Sequence, residues 1–570
     1  NVKTDCKQIV SLIFAYASSY WLDWTKIEKD RRNNYYYDTD LLLKGIYVHE
    51  DDALLCRDSN CVNKDHANYL CNAYNEIVKC LCDASESLYH CKNKVHNTRP
   101  GWNEHVSELH SAAREAHLLW VEAGKNRQGR LFELKKRANA RFKYALRFIK
   151  NNENVMRADS VARKLQGKSY YEFWKEIKCV NNSKAPLPTN IEGISGDEKI
   201  SELWCNHYKD LFNCVQSTVQ DVTNVDFYVN MVISPEEVKE AIRKLDSNKS
   251  CGLYTITAEH LKFASPKLMP LLAMCISGFL IHGILPDSMI SVVLVPVIKN
   301  KAGRITSKDN YRPIALASVL SKVLEKILLG RLEMYILTKD NQFGFKAKHG
   351  TDMCIFALKE IIASYRSKNS SLFLCFLDAS KAFDRINHEK LFTKMADRGI
   401  PKYLIRILVF WYAHQTMMAR WGSSVSEPFH VSNGVRQGGI LSPFLFNLYM
   451  DGLSDNLNAC KKGCVVGGMV VNHLMYADDL VIISPSTAGL QSLLKICSHY
   501  GYDNDVKYNA KKSHVMIIRC KEHRRLVFPD FYLCGAKLNV CTEAMYLGHF
   551  FTEDLSDDKD ISRQCRICSR

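Results

Sequence analysis

The spacing of apolar and polar positions divides the chain into helical and extended stretches. Val106, Leu109, His110 and Ala113, then Leu131, Leu134, Ala138, Phe142, Ala145 and Phe148, recur every three to four residues and predict long helices over residues 103–150. A further helix is predicted over 201–212, carrying Leu203, Trp204, Tyr208 and Leu211. Ser234-Pro235-Glu236-Glu237 is a helix start: a serine cap, proline in the first turn, then acids. Ser318 opens another helix, with Val319, Val323, Ile327 and Leu328 on one face. Ser442-Pro443 opens one more, and Leu490, Leu493, Leu494 and Cys497 mark the next. Residues 291–298 form a β-branched strand in which Pro296 points to an edge position. The unbroken apolar run 371–377 predicts a central strand buried on both faces. Two short apolar runs around Ala477-Asp478-Asp479 predict a hairpin, 506–518 a turn and a strand, and 544–550 a short β-rich run. Residues 1–100 are aromatic, cysteine-rich and poorly periodic.

Chemistry gathers at the ends of these elements. Asp378 follows directly on the apolar run 371–377, where an acid without a partner is costly. Asp478 and Asp479 occupy the tip of the predicted hairpin, where an isolated acidic pair reads first as a turn. If the two strands are neighbours, three carboxylates converge and suit Mg²⁺. Lys299 and Lys301, with Arg312 beyond a polar loop, offer a site for a phosphate tail, although solvated loop cations are the ordinary reading. Gly434-Val435-Arg436-Gln437-Gly438-Gly439 lets backbone approach a ligand closely.

Charge adds a second theme. The chain's formal net charge is +16, and fourteen Lys or Arg between Lys125 and Lys168 against three acids leave +11 in that segment alone. So one-signed a helical run points to nucleic-acid phosphates, contacted without regard to base sequence. The 22 cysteines are about 4% of 570 residues, too few for a disulfide scaffold and suited to reduced thiols inside a cell. Cys56, Cys61, His66 and Cys71 stand five apart, a looser spacing than zinc sites use, and chance clustering is the preferred reading. The early apolar run 9–16 is too short to span a membrane. The start at Asn1 and the polar end suggest a fragment of a longer protein.

The order of motifs resembles the reverse transcriptases of non-long-terminal-repeat, LINE-type retrotransposons over residues 235–552. The motifs are Asn-Tyr-Arg-Pro-Ile (310–314), Gln-Phe-Gly-Phe (342–345), Leu-Asp-Ala-Ser-Lys-Ala-Phe-Asp (377–384), Arg-Gln-Gly-Gly-Ile-Leu-Ser-Pro (436–443), Tyr-Ala-Asp-Asp (476–479), Asn-Ala-Lys-Lys-Ser (509–513) and Tyr-Leu-Gly (546–548). The resemblance implies an α+β fold: right-hand polymerase fingers and palm with a central antiparallel sheet, preceded by a mainly helical basic region. With the composition, it divides the chain into a cysteine- and aromatic-rich region over 1–100, a basic helical region over 101–229 that looks like the linker such elements carry, an N-terminal extension over 230–278, fingers and palm over 279–552, and a truncated thumb over 553–570. No endonuclease motifs precede the linker.

By the same resemblance, Asp378 and Asp478 would hold two Mg²⁺ ions, with Asp479 more peripheral and the Ala379 carbonyl completing one shell. Phe383 would be the steric gate against a ribose 2′-OH. Lys299 or Lys301, with Arg312, would hold the triphosphate of a deoxynucleotide. Gln437 and Gly438 would line the nucleotide and template pocket, Lys512 would protonate the leaving pyrophosphate, and Leu547 and Gly548 would position the primer end. The implied function is RNA-directed DNA synthesis on an RNA template from a DNA primer, without a membrane, in the nucleus or a cytoplasmic ribonucleoprotein. Two alternatives stand beside it: a non-catalytic nucleic-acid-binding remnant working through the basic linker, and an RNA-templated RNA polymerase, against which Phe383 weighs.

Overall fold

The computed structural model describes residues 29–46, 63–89, 104–167, 187–217, 231–250, 255–300, 303–520 and 526–568, with isolated positions 24, 27, 56, 58, 60, 61, 173, 222, 225 and 252. It falls into two compact units, one formed by residues 1–90 and 188–570, the other by 91–187. Residues 188–217 fall in the larger unit.

In the larger unit, the described residues of the weakly periodic N-terminal region include helices α1 (Lys29–Lys44) and α2 (Lys64–Tyr89). Leu70, Tyr74, Ile77, Val78, Leu81 and Leu88 line the buried face of α2, a helical stripe hidden in the sequence by interspersed cysteines and tyrosines. Then come α3 (Asp197–Leu211), α4 (Pro235–Arg243) and α5 (Leu268–His282). A full capping box between Ser234 and Glu237 starts α4 as its sequence predicts.

The first sheet contains β1 (Val292–Ile298) and β2 (Tyr311–Leu316), and β2 leads into helix α6 (Val319–Leu332). The chain continues through β3 (Leu372–Leu377), α7 (Lys402–Ala413), β4 (Thr416–Trp421) and α8 (Ser442–Ala459). In this sheet β1 lies between antiparallel β2 and parallel β4, so it is internal. Pro296 is tolerated because β4 pairs only with Val292–Leu294 and leaves Pro296 without a ladder partner on that side. Trp204 and Tyr208 of α3 pack on this sheet.

The second sheet adds β5 (His473–Tyr476), β6 (Asp479–Ser484), helix α9 (Thr487–Asp503), β7 (His514–Ile518) and β8 (Asn539–Cys541). Its order is β5-β6-β3-β7-β8, with β3 at the centre as its apolar run predicts. Successive side chains of a strand point to opposite faces. Phe373, Cys375 and Leu377 accordingly join the core that contains α9, while Leu372, Leu374 and Phe376 join the core beneath the helix Thr351–Ser367. The hairpin β9 (Glu543–Tyr546) and β10 (His549–Thr552) packs on that second face through Tyr546 and Phe551.

In the smaller unit, helices Glu104–Glu122 and Arg130–Asn151 form an antiparallel-type pair. The inward face of the second runs through Phe132, Phe142 and Ile149 rather than Leu131, Leu134 and Phe148, which are exposed. Ring contacts from Phe132 to Trp120 (6.3 Å) and from Phe142 to His110 (5.1 Å) set this rotation. Among the described residues, no helix is long and apolar enough to cross a membrane.

Candidate active site

The hairpin β5–β6 pairs Tyr476 with Asp479, leaving Ala477 and Asp478 as the two-residue turn. Ala477 holds a left-handed φ of 58°, which costs an L-residue roughly 1–2 kcal/mol. Gln342 holds that peptide in place. Its Oε1 accepts from the Ala477 N–H (2.9 Å) and the Gly344 N–H (2.8 Å), and its Nε2 donates to the Ala477 carbonyl (3.3 Å). Gly344 lies so close that a Cβ there would sit 2.3 Å from the Ala477 nitrogen. The Gln-Phe-Gly segment is thereby a strap over the acidic turn.

Asp378 emerges from β3 beside β6, where Leu377 pairs with Leu480. Its backbone is fixed from β7's approach: the Asp378 N–H donates to Ser513 Oγ (3.0 Å), and the Asn509 N–H donates to the Asp378 carbonyl (2.8 Å). Ala379 bridges Tyr508 on the same side. The carboxylates feel one another. Burial first, then the charges of Asp478 and Asp378, push the Asp479 carboxyl up to about 6, against the pull of Arg312. Asp478, open to solvent at the tip but crowded by protein beneath, is raised by burial and then by Asp378.

Arg312, which pulls on Asp478 and Asp479, is one of a group of neighbouring cations. Burial lowers the Lys299 ammonium, and the neighbouring charges of Lys381, Arg312 and Lys512 lower it further. Lys299 Nζ also donates to the Asp309 carbonyl (2.9 Å). Lys301 lies outside the described residues.

Phe383 stacks face to face on Phe446 of α8, centroids 4.4 Å apart, and meets the edge of Phe345 at 6.1 Å. The Ala315 N–H donates to the Gln437 carbonyl (2.7 Å), and Gly438, at φ 116°, leaves only 2.9 Å between a would-be Cβ and the Ala315 oxygen. The loop is thereby laid against β2, three residues beyond Arg312. Leu547 and Gly548 form the β9–β10 turn with φ of 50° and 80°. Tyr546 beside them directs its hydroxyl to the carbonyls of Leu474 (3.4 Å) and Asp479 (3.5 Å).

Two residues without an assigned role in the sequence reading belong here. Asp384 is buried, accepts from Gln437 Nε2 (2.6 Å), and is pushed up to about 6 by burial. Lys381 acts on both Asp384 and Lys299. The only hint was the second acid in Asp378-Ala-Ser-Lys-Ala-Phe-Asp384, which looks like a solvated turn residue until the loop 433–437 covers it.

Residues 298–551 match the reverse transcriptase (RNA-dependent DNA polymerase) family. The chain is 24% identical over 455 residues to the RNA-directed DNA polymerase from mobile element jockey of Drosophila funebris, covering 74% of this chain and 48% of that protein. It is 31% identical over 253 residues to the Pol polyprotein from retrotransposable element R2DM of Drosophila melanogaster, covering 43% of this chain and 24% of that protein. It thus spans about half the length of such relatives, or less. A telomerase from Candida tropicalis is similar at 12% identity and a TM-score of 0.35, covering 47% of this chain and 54% of that one.

Proposed function

We propose, from the premise that residues 298–551 are a reverse transcriptase domain, that this chain adds deoxynucleotides to a primer 3′-OH on an RNA template. The observation that carries this reading is the meeting of Asp378 with the Asp478–Asp479 hairpin, with Arg312 pulling on the pair and Lys299 close enough to feel Arg312, Lys381 and Lys512. Three hard oxygen donors, of which Asp478 and Asp479 have a raised proton affinity, suit Mg²⁺. Asp378 and Asp478, with Asp479 and the Ala379 carbonyl, would hold two ions. Bound there, Mg²⁺ would make the primer hydroxyl a better nucleophile and neutralise charge on the transferring phosphoryl group.

The remaining work falls to the chain. Arg312, with Lys299 or Lys301, would grip the triphosphate, and Lys299 stands close enough to Arg312 for their charges to act on one another. Gln437 and Gly438, fixed against Ala315, would line the base-pair pocket. Phe383, braced by Phe446, would stand against a 2′-OH. Lys512 would give a proton to the leaving pyrophosphate. Leu547 and Gly548 would steady the primer end. The work would take place in the nucleus or a cytoplasmic ribonucleoprotein.

The test is primer extension by Asp378→Asn and Asp478→Asn. Each should fall below ~1% of wild type with nucleic-acid binding retained, since such groups act as a unit. The basic helices favour a second reading, a nucleic-acid-binding protein without catalysis. Salt-sensitive binding with no extension by the wild type would select it.

A further inference from the structure

The sequence grouping of Cys56, Cys61, His66 and Cys71 dissolves in the fold and re-forms with a different fourth member. Cys71 turns toward α5, where its charge bears on Cys275. The place beside the other three is taken by His282, the last residue of α5 and 216 positions beyond His66 in the sequence. The ligating atoms of Cys56, Cys61, His66 and His282 all lie within 4.8 Å of one another.

We propose that these four side chains bind a structural zinc ion. Tetrahedral zinc with bonds of about 2.3 Å to sulfur and 2.0–2.1 Å to nitrogen puts a sulfur and a nitrogen roughly 3.5 Å apart. Cys61 Sγ and His66 Nδ1 are 3.4 Å apart. The rings of His66 and His282 stand at 80° with centroids 5.5 Å apart, so both imidazoles can turn a nitrogen to a common point without stacking. Two thiolates and two neutral imidazoles cancel the charge of Zn²⁺, which suits a site whose ligands are half-buried or buried.

The backbone around the site is already shaped. The Cys61 N–H donates to the Asp58 carbonyl (3.1 Å) and the Asn60 N–H to Asp58 Oδ1 (2.9 Å), a turn that folds Cys61 back toward Cys56. The Asp65 N–H donates to Asn63 Oδ1 (2.9 Å), which starts α2 and sets His66 in its first turn. Four protein ligands leave no open position, so the ion holds structure and does no chemistry. It fastens the segment before α2 to the end of α5. The loose spacing that argues against zinc in the sequence is irrelevant once the fourth ligand comes from a distant helix.

The test is zinc content of the full 570-residue chain, purified without chelator from zinc-supplemented culture. The expected result is about one zinc per chain in wild type and in Cys71→Ser, and a fall to below about one fifth of that in Cys61→Ser and His282→Gln. Cobalt(II) substitution of the wild type checks the geometry without any mutation: it should give the intense visible bands of a tetrahedral ion and a thiolate charge-transfer band. Zinc-free wild type, a six-coordinate cobalt spectrum, a Cys56–Cys61 disulfide in the purified protein, or zinc retained by His282→Gln but lost from Cys71→Ser would each overturn the proposal.

Discussion

Asp384 shows what a single carboxyl can do to the pH dependence of this fold. Its folded-state pKa is pushed up to about 6 from 3.8, chiefly by burial. A raised carboxyl pKa means the folded state binds its proton more tightly, so this group favours folding at low pH. That contribution is lost as pH rises from about 4 through about 6. Two pK units correspond to about 3 kcal/mol. Asn keeps an acceptor for Gln437 and carries no charge. Asp384→Asn should therefore be more stable than wild type by up to about 3 kcal/mol above pH 7, with the difference vanishing near pH 4. Denaturant melts at several pH values check this, and a pH-independent difference would remove the burial argument. At Phe383, Phe383→Val should relax sugar discrimination, raising ribonucleotide use about tenfold or more in paired dNTP and NTP extension assays. Asp378 was legible in the sequence because an acid ends a wholly apolar strand. Asp384 was not, because its burial depends on Gly434 backbone packed against it from fifty residues away.

At the scale of elements, the site depends on a strap. Gln342 forms a parallel bridge with Met475 and satisfies both polar groups of the strained Ala477 peptide. Removing it leaves a buried N–H without a partner, a loss of about 1–3 kcal/mol. Gln342→Ala should lower extension at least tenfold while the chain stays folded, because the acidic turn is freed from its left-handed conformation. Gly344→Ala should do the same by collision with Ala477. Thermal melts beside extension rates would separate misplacement from unfolding. A second tie, the buried pair of Arg436 and Glu325 (2.7 Å), joins the Gly-rich loop to α6, with Arg436 also lying 4.4 Å over Trp411. Arg436→Met alone should cost about 3–5 kcal/mol in denaturant melts, since it strands a buried carboxylate. Hairpin, central strand and helix starts were readable because each is a local pattern of period and cap. The strap and the Cys-Cys-His-His cluster were not, because each joins segments more than a hundred residues apart, and local periodicity carries no record of such partners. The Pro296 edge expectation failed for a related reason: strand order is a property of the sheet, and only the short reach of β4 reconciles the proline with an internal strand.

At the scale of the whole molecule, the two units differ in the chemistry they carry. The acids and their cations belong to the larger unit, while the segment 125–168, with its +11 charge, lies in the smaller one. On the helix Arg130–Asn151, Lys136, Arg137, Arg141, Lys143, Arg147 and Lys150 are all exposed. Lys135 is a different case, since its ammonium sits 3.2 Å over the Trp120 ring and is engaged in packing. If the six exposed cations contact phosphates, replacing all six with glutamine removes six counterion-releasing contacts. The slope of log K against log[salt] should then become shallower by about 5 for duplex DNA and about 4 for a single strand. The same change should leave extension at saturating template near wild type, because the six cations belong to the smaller unit and the carboxylates to the larger one. Binding isotherms at four or five salt concentrations, read beside single-turnover extension, separate the two units' contributions. An unchanged slope would make the segment a solvated helix face. A lost single-turnover rate would place it in the catalytic step instead. The expected result, a shallower slope with chemistry intact, would assign the segment a grip on phosphates of any sequence and no say in which nucleotide is added.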